Sequence, residues 1–158
     1  DWQLATIQLD FQMPERFKLG YTDAAGKKQT PVMIHRAILG TFERFIGVLI
    51  EHYAGAFPFW LSPVQIALLP INDAVKPYCL EVLRELRKHD YRIEADTRNE
   101  TIGKKIREAE MQKIPYLLII GPREVQSKTV AVRERWKGDR GQMKLDGFLA
   151  LVESQRRP

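Results

Sequence analysis

Pro31-Val32-Met33-Ile34-His35-Arg36-Ala37-Ile38-Leu39-Gly40-Thr41-Phe42-Glu43-Arg44-Phe45-Ile46-Gly47 is the stretch on which the reading of the first part of the chain turns. From Val32 to Leu39 the apolar residues are nearly continuous, which predicts a buried strand covered on both faces. Alternation puts Met33, His35, Ala37 and Leu39 on one side of it and Val32, Ile34, Arg36 and Ile38 on the other. Beyond the turn at Gly40, Thr41 can cap a helix whose residues Phe42, Phe45, Ile46, Leu49, Ile50 and Tyr53 recur at helical spacing. Arg44 then falls in the first turn, where the helix dipole makes a cation slightly unfavourable. An arginine held there, next to a histidine on a buried strand, suggests an anion site.

Upstream, Thr6 to Phe11 alternates strictly, with Thr6, Gln8 and Asp10 on one face and Ile7, Leu9 and Phe11 on the other. Pro14 to Phe17 reads as a break, Leu19 to Thr22 as a short strand and Asp23 to Lys28 as a turn, so the strands of this part are expected to form an antiparallel meander. Downstream, Ala54 to Pro63 is a connector whose two prolines stop helix and strand and whose aromatics must pack against something. The boundary is placed near residue 61, giving parts 1–60 and 61–158.

The second part alternates: a strand over Val64–Leu69, a helix over Ala74–Lys88, a strand over Tyr91–Ala95 and a helix over Thr101–Lys113. Strands over Tyr116–Ile120 and Thr129–Glu134 and a closing helix over Leu145–Glu153 follow. That order predicts an α/β fold, a mixed, mainly parallel sheet with flanking helices and one antiparallel strand.

A chain of 158 residues with 44% hydrophobic and 28% charged content belongs with soluble globular proteins. It holds no bilayer-length apolar run and no basic-then-apolar leader pattern, so membrane insertion is not expected. The single cysteine, Cys79, excludes an internal disulfide, fits a reducing compartment such as the cytoplasm, and reads as a buried helix residue rather than a nucleophile. Residues 1–60 are neutral, with six basic and six acidic residues, so the second part carries the whole net charge of +5. A basic domain beside a neutral one points to nucleic acid, although a solvated basic surface would look the same.

Residue chemistry alone leaves the first part open. The polar row Thr6, Gln8 and Asp10 could simply face solvent. His35 could be a hydrogen-bonded strand histidine, and a metal there would need further ligands that His52 and His89, on a helix and at a helix end, do not supply.

The run from Trp2-Gln3 through Thr6-Ile7-Gln8-Leu9-Asp10-Phe11, Met13-Pro14 and Arg16 to the stretch quoted at the outset resembles the end of a class II aminoacyl-tRNA synthetase catalytic domain, that of the threonyl-tRNA synthetase family. Gly40 followed by Arg44 in a first helical turn looks like class II motif 3. The resemblance implies that Arg44 contacts the ATP phosphates, where a fixed guanidinium suits a polyphosphate. It implies that Gln3 lies near adenine and ribose, Gln8 in the threonine pocket, and His35 among the ligands of a zinc that reads the amino and hydroxyl groups of threonine. A zinc reader is physically sensible because an apolar pocket cannot strongly reject isosteric valine. Leu4 and Ala5 depart from a Cys-Gly pair frequent in the family, which leaves the fine pocket shape open. Motifs 1 and 2 and two more zinc ligands precede the matching stretch in the family. The chain is therefore expected to be part of a larger, homodimeric ligase using ATP and Mg²⁺, and to be inactive in aminoacylation alone.

The second part resembles the anticodon-binding domain shared by the His, Gly, Thr and Pro enzymes, chiefly through Asp96-Thr97-Arg98-Asn99-Glu100-Thr101-Ile102-Gly103-Lys104-Lys105-Ile106-Arg107-Glu108 and Ile114-Pro115-Tyr116. Helical spacing turns Ile102 and Ile106 inward and Lys104, Lys105 and Arg107 outward, where cations suit phosphates. The resemblance implies that Asn99, Glu124 at the hairpin, and Arg133 contact the second and third anticodon bases of a threonine tRNA. Arg133 and Glu124 could instead be a cross-strand ion pair. Arg135, Trp136 and Lys137 add a basic and aromatic surface with no role implied. A non-catalytic RNA-binding or accessory protein reusing the same fold is the alternative, though such proteins tend to lose active-site residues. A flavodoxin-like small-molecule binder is a third reading, against which stand the lack of a phosphate loop and the basic surplus.

Overall fold

The computed structural model describes residues 2–156. The chain forms two compact units, Asp1–His52 and Tyr53–Pro158.

The first unit runs β1 (Thr6–Asp10), α1 (Gln12–Arg16), β2 (Tyr21–Thr22), β3 (Lys28–Gln29), β4 (Met33–Ala37) and α2 (Phe42–Tyr53), whose end reaches the division. The stretch expected as a break is a helical turn, because the Asp10 carboxylate accepts the Gln12 and Met13 amides at 3.0 and 2.9 Å and starts it. The strands are not a sequential meander. β1 pairs antiparallel with β4, while β2 and β3 form a separate hairpin between them. Nor is β4 covered on both faces: Ile34 is 64% exposed and, on α2, Phe42 is 82% exposed. The unit supplies only a two-stranded sheet there, with no second layer of its own to bury the apolar residues.

The second unit is built differently. After a 3₁₀ turn at Phe59–Leu61 come β5 (Ile66–Pro70), a 3₁₀ turn at Asp73–Val75, α3 (Lys76–Arg87), β6 (Ile93–Ala95), α4 (Ile102–Met111) and β7 (Tyr116–Ile120). Then come α5 (Pro122–Ser127), β8 (Thr129–Glu134), β9 (Gly138–Lys144) and α6 (Leu145–Glu153). The sheet order is β6-β5-β7-β8-β9, with β6, β5 and β7 parallel and β8 and β9 antiparallel additions. The mixed α/β architecture agrees with the sequence. It has one helix and one antiparallel strand more than expected, α5 and β9.

Val75, Cys79, Val82 and Leu86 of the α3 region pack with Phe148 and Val152 of α6 onto one face of this sheet. On the other face Ala109 and Ile114 meet Ala67, Leu69 and Leu117. Cys79 is fully buried and burial pushes its thiol up to about 11, so it is a packing residue and not a nucleophile. The connector belongs to this unit. Phe59 makes edge contacts with Tyr91 and Tyr116, each at 5.7 Å, and Tyr116 continues to Phe148 at 5.5 Å. Arg92 fastens it by donating to the Ser62 and Trp60 carbonyls at 2.9 and 2.7 Å. The units thus divide before the connector, because its aromatic anchor Phe59 sits in the core of the second unit.

Candidate functional site

In the first unit, register pairs Gln8 with His35, Thr6 with Ala37 and Asp10 with Met33, so the polar row and the histidine share one sheet face. His35 Nε2 stands 3.2 Å from Asp10 Oδ2, and the Met13 amide, the histidine and the Gln12 amide together hold the Asp10 carboxyl below its usual range. Gly40 has φ +70°, and a Cβ there would stand 3.2 Å from the Leu4 carbonyl oxygen, so a side chain would be both strained and crowded. The turn it permits brings the Gln3–Leu4 segment beside the start of α2. There Thr41 accepts the Arg44 amide at 3.3 Å, and the Arg44 guanidinium donates to the Gln3 carbonyl at 2.9 Å. Gln3 and Arg44 therefore stand together, as do Gln8 and His35. Among the described residues no group of three or more His, Cys, Asp or Glu side chains could hold a metal.

In the second unit, Arg133 lies on β8 opposite Leu117 of β7, and its Nε donates to Glu110 of α4 at 2.8 Å. The cross-strand pair with Glu124 does not form. Glu124 is on α5 rather than in a hairpin, only 6% exposed, and caps its own helix by accepting the Gly121 amide at 2.8 Å. Its other oxygen accepts from the Gln142 side chain on β9. That reach depends on an irregularity in the ladder. Arg133 faces Asp139 and Ala131 faces Gln142, so two steps on β8 answer three on β9. Were the same residues held in an unbroken ladder from Asp139 onward, residue 142 would fall opposite Val130 and Gln142 would point to the other face.

Asn99 is exposed in the loop between β6 and α4. The loop is braced from within: Arg98 grips both Asp96 oxygens at 2.9 and 2.6 Å and also donates to Glu108 at 2.6 Å. Chiefly through Arg98, the Asp96 carboxyl is held below its ordinary value. A depressed carboxylate adds stability above its unfolded pKa of about 4 and gives it up as pH falls through the folded value. Asp96→Asn is therefore expected to lower stability by ~1 kcal/mol at neutral pH, with the gap to the unmodified chain closing in urea melts below about pH 4. An equal gap at both pH values would show that Arg98 stabilises nothing there.

Helical spacing sends Lys105 outward, yet it is 3% exposed, and its ammonium donates to the Pro70 and Asp96 carbonyls, both at 3.0 Å. A long stem lets a flank position of a helix reach over the sheet edge. Asn99, Glu124 and Arg133 are not one tight cluster. Asn99 precedes the start of α4, Glu110 with Arg133 marks its far end, and Glu124 lies beyond the last residue of β7. Glu110, Gln142 and Lys105 escape a reading of the sequence. The first two have partners set by tertiary register, and the third sits at helical spacing that normally exposes a lysine.

Residues 65–155 match the family described as anticodon binding domain, and residues 1–53 match the tRNA synthetase class II core domain (G, H, P, S and T). The threonine–tRNA ligase of Clostridium novyi is 56% identical over 154 residues, covering 98% of this chain and 24% of that protein. That of Acetivibrio thermocellus is 57% identical over 151 residues, covering 96% and 24%. The chain thus spans about a quarter of the length of the curated relatives it matches. The crystal structure of the RNA binding domain of threonyl-tRNA synthetase from Cryptosporidium parvum Iowa II is similar, with a TM-score of 0.82 and 40% identity, over 99% of this chain and 40% of that one. With a basic second unit of this topology and this match across it, the chain belongs to the anticodon-binding domain family of the class II aminoacyl-tRNA synthetases.

Proposed function

We propose that the protein to which this chain belongs is a threonine–tRNA ligase, which activates threonine with ATP and Mg²⁺ and esterifies it to its tRNA. In this reading the first unit is the end of the catalytic domain and the second unit, with the connector, reads the anticodon. The observation that carries it is Arg133, a guanidinium on the inner strand β8 at a cleft, within a stretch that matches the anticodon binding domain. Unstacked anticodon bases offer their Watson–Crick edges to such a group, and its planar fork can make paired hydrogen bonds to them. Asn99 in its braced loop and Glu124, through the oxygen it shares with Gln142, are the other base contacts.

Arg44 and Gln8 are the catalytic residues that this chain supplies. Arg44 spends one N–H on the Gln3 carbonyl, which leaves other donors of its fork for ATP phosphates. Gln3 then lies beside adenine and ribose, and Gln8 with His35 faces threonine. His35 would be one ligand of a zinc ion that supplies recognition of the amino and hydroxyl groups. His35 and Asp10 offer two donors where tetrahedral zinc takes four, so the residues of this chain do not by themselves fit the metal. The partners are tRNA-Thr and a second copy of the protein. The setting is the cytoplasm, supported by the free, buried Cys79.

The test is binding of this chain, at one fixed salt concentration, to transcripts with a threonine anticodon and to transcripts changed at its second or third base. A loss of roughly ten-fold or more per change is expected. Equal binding to every transcript would end the anticodon reading.

A further inference from the structure

Trp136 has no part in the anticodon contacts proposed so far. It occupies the turn between β8 and β9, 80% exposed, with a backbone φ of 65°. That left-handed conformation is uncommon and strained for a bulky residue, and glycine would suit it better. The ring is nevertheless held firmly. The Arg135 guanidinium lies 4.6 Å from its centroid. That guanidinium is itself fixed, donating to the Lys113 carbonyl at 2.6 Å and the Phe57 carbonyl at 2.7 Å. One ring face is thus backed by an anchored cation and the other is free. The ring borders a cleft of about 360 Å³ that also includes Glu110, Lys113, Leu117, Arg133 and Arg135, within the size range of clefts that hold a small flat group. Its three cations, Lys113, Arg133 and Arg135, stand against two acids, Glu110 and Glu134, and the cleft contains the residue on which base reading rests.

We propose that Trp136 is a stacking platform for one unpaired base of the RNA loop seated in this cleft, with Arg135 as its fixed underside. The inference rests on the anticodon reading of this face and adds a contact of a different kind. Every base has a π-face, so stacking contributes affinity without choosing among bases. A tryptophan kept exposed on a strained backbone is what such a contact requires, and folding alone gives no reason for it.

The test uses the whole 158-residue chain, with Trp136→Gly and Trp136→Phe as variants and the same matched and altered anticodon transcripts at one salt concentration. Glycine suits the backbone of this turn, so that variant is expected to keep its thermal midpoint. Phenylalanine preserves a smaller ring and removes the indole signal while Trp2 and Trp60 remain. Binding should quench tryptophan fluorescence in the unmodified chain, and the quench should be lost in Trp136→Phe. Trp136→Gly should bind every transcript roughly ten-fold more weakly, with the ratio between matched and altered anticodons unchanged. Affinity of Trp136→Gly within about two-fold of the unmodified chain, or an undiminished quench in Trp136→Phe, would overturn the proposal. Loss of the platform effect while base discrimination persists removes the platform alone. Weakening of all transcripts by Trp136→Gly, in a chain that does not discriminate bases, removes the anticodon reading and leaves the platform standing.

Discussion

Arg133→Ala should abolish the difference between matched and altered anticodon transcripts and weaken binding to the matched one by roughly ten-fold or more, the ~1–3 kcal/mol of one specific base contact. The geometry makes the effect larger than the loss of a surface ion pair. The Glu110 carboxylate, now neutralised by Arg133 at 2.8 Å, would be left facing an approaching polyanion. Glu110→Gln is the control. It keeps the guanidinium on its strand and removes only the ion pair, which at this partly exposed site stabilises by ~1 kcal/mol or less. That variant should retain base discrimination with unchanged or slightly tighter binding. If the two variants behaved alike in filter binding at fixed salt, Arg133 would be a structural partner of α4 and nothing more.

Lys105→Met is expected to cost about 2–4 kcal/mol of stability, read as a lower urea midpoint at unchanged slope. The ammonium closes the gap between the carbonyl at the end of β5 and the one just after β6, each at 3.0 Å. Methionine fills much of the same volume but donates nothing, so two largely buried acceptors lose their partner together. A charge buried this deeply is tolerable because both acceptors are strand-end carbonyls, and neither is free to turn to water. The loop carrying Asn99 starts at one of them, so the same variant should also raise protease sensitivity between residues 96 and 101. A midpoint unchanged from that of the unmodified chain would mean that the hydrogen bonds are replaced by water at no cost.

Where the sequence and the folded chain agree, local chemistry is enough. The apolar runs at 64–69 and 116–120 and the helical segments at 74–88 and 101–113 each fix their own element, and the parallel order comes from their alternation. The features that were not legible depend on partners distant in sequence. β9 is rich in glycine and polar residues and has no alternation, so only its pairing with β8 makes it a strand. α5 is six residues long and is fixed by the Glu124 carboxylate returning to the Gly121 amide, a contact that helical periodicity does not show in so short a segment. β4 has the composition of a covered strand, yet composition says only that a cover is wanted and not which chain supplies it. The shared face of Gln8 and His35 is legible from alternation, whereas the grip of Arg44 on Gln3, 41 residues away, needs the turn at Gly40.

The extra residue where β9 runs beside β8 makes the facing of everything after it a matter of odd and even counting. Removing one residue there, Gly141 for instance, would leave a regular ladder in which Gln142 still falls opposite Ala131 and Met143 opposite Val130. Gln142 would keep the side that meets Glu124, and Met143 would stay with the core. Removing a residue from a regular stretch of the same pair would instead invert the side on which each later side chain emerges. This edge of the sheet should therefore tolerate the loss of a single residue at the irregularity and not elsewhere along β9.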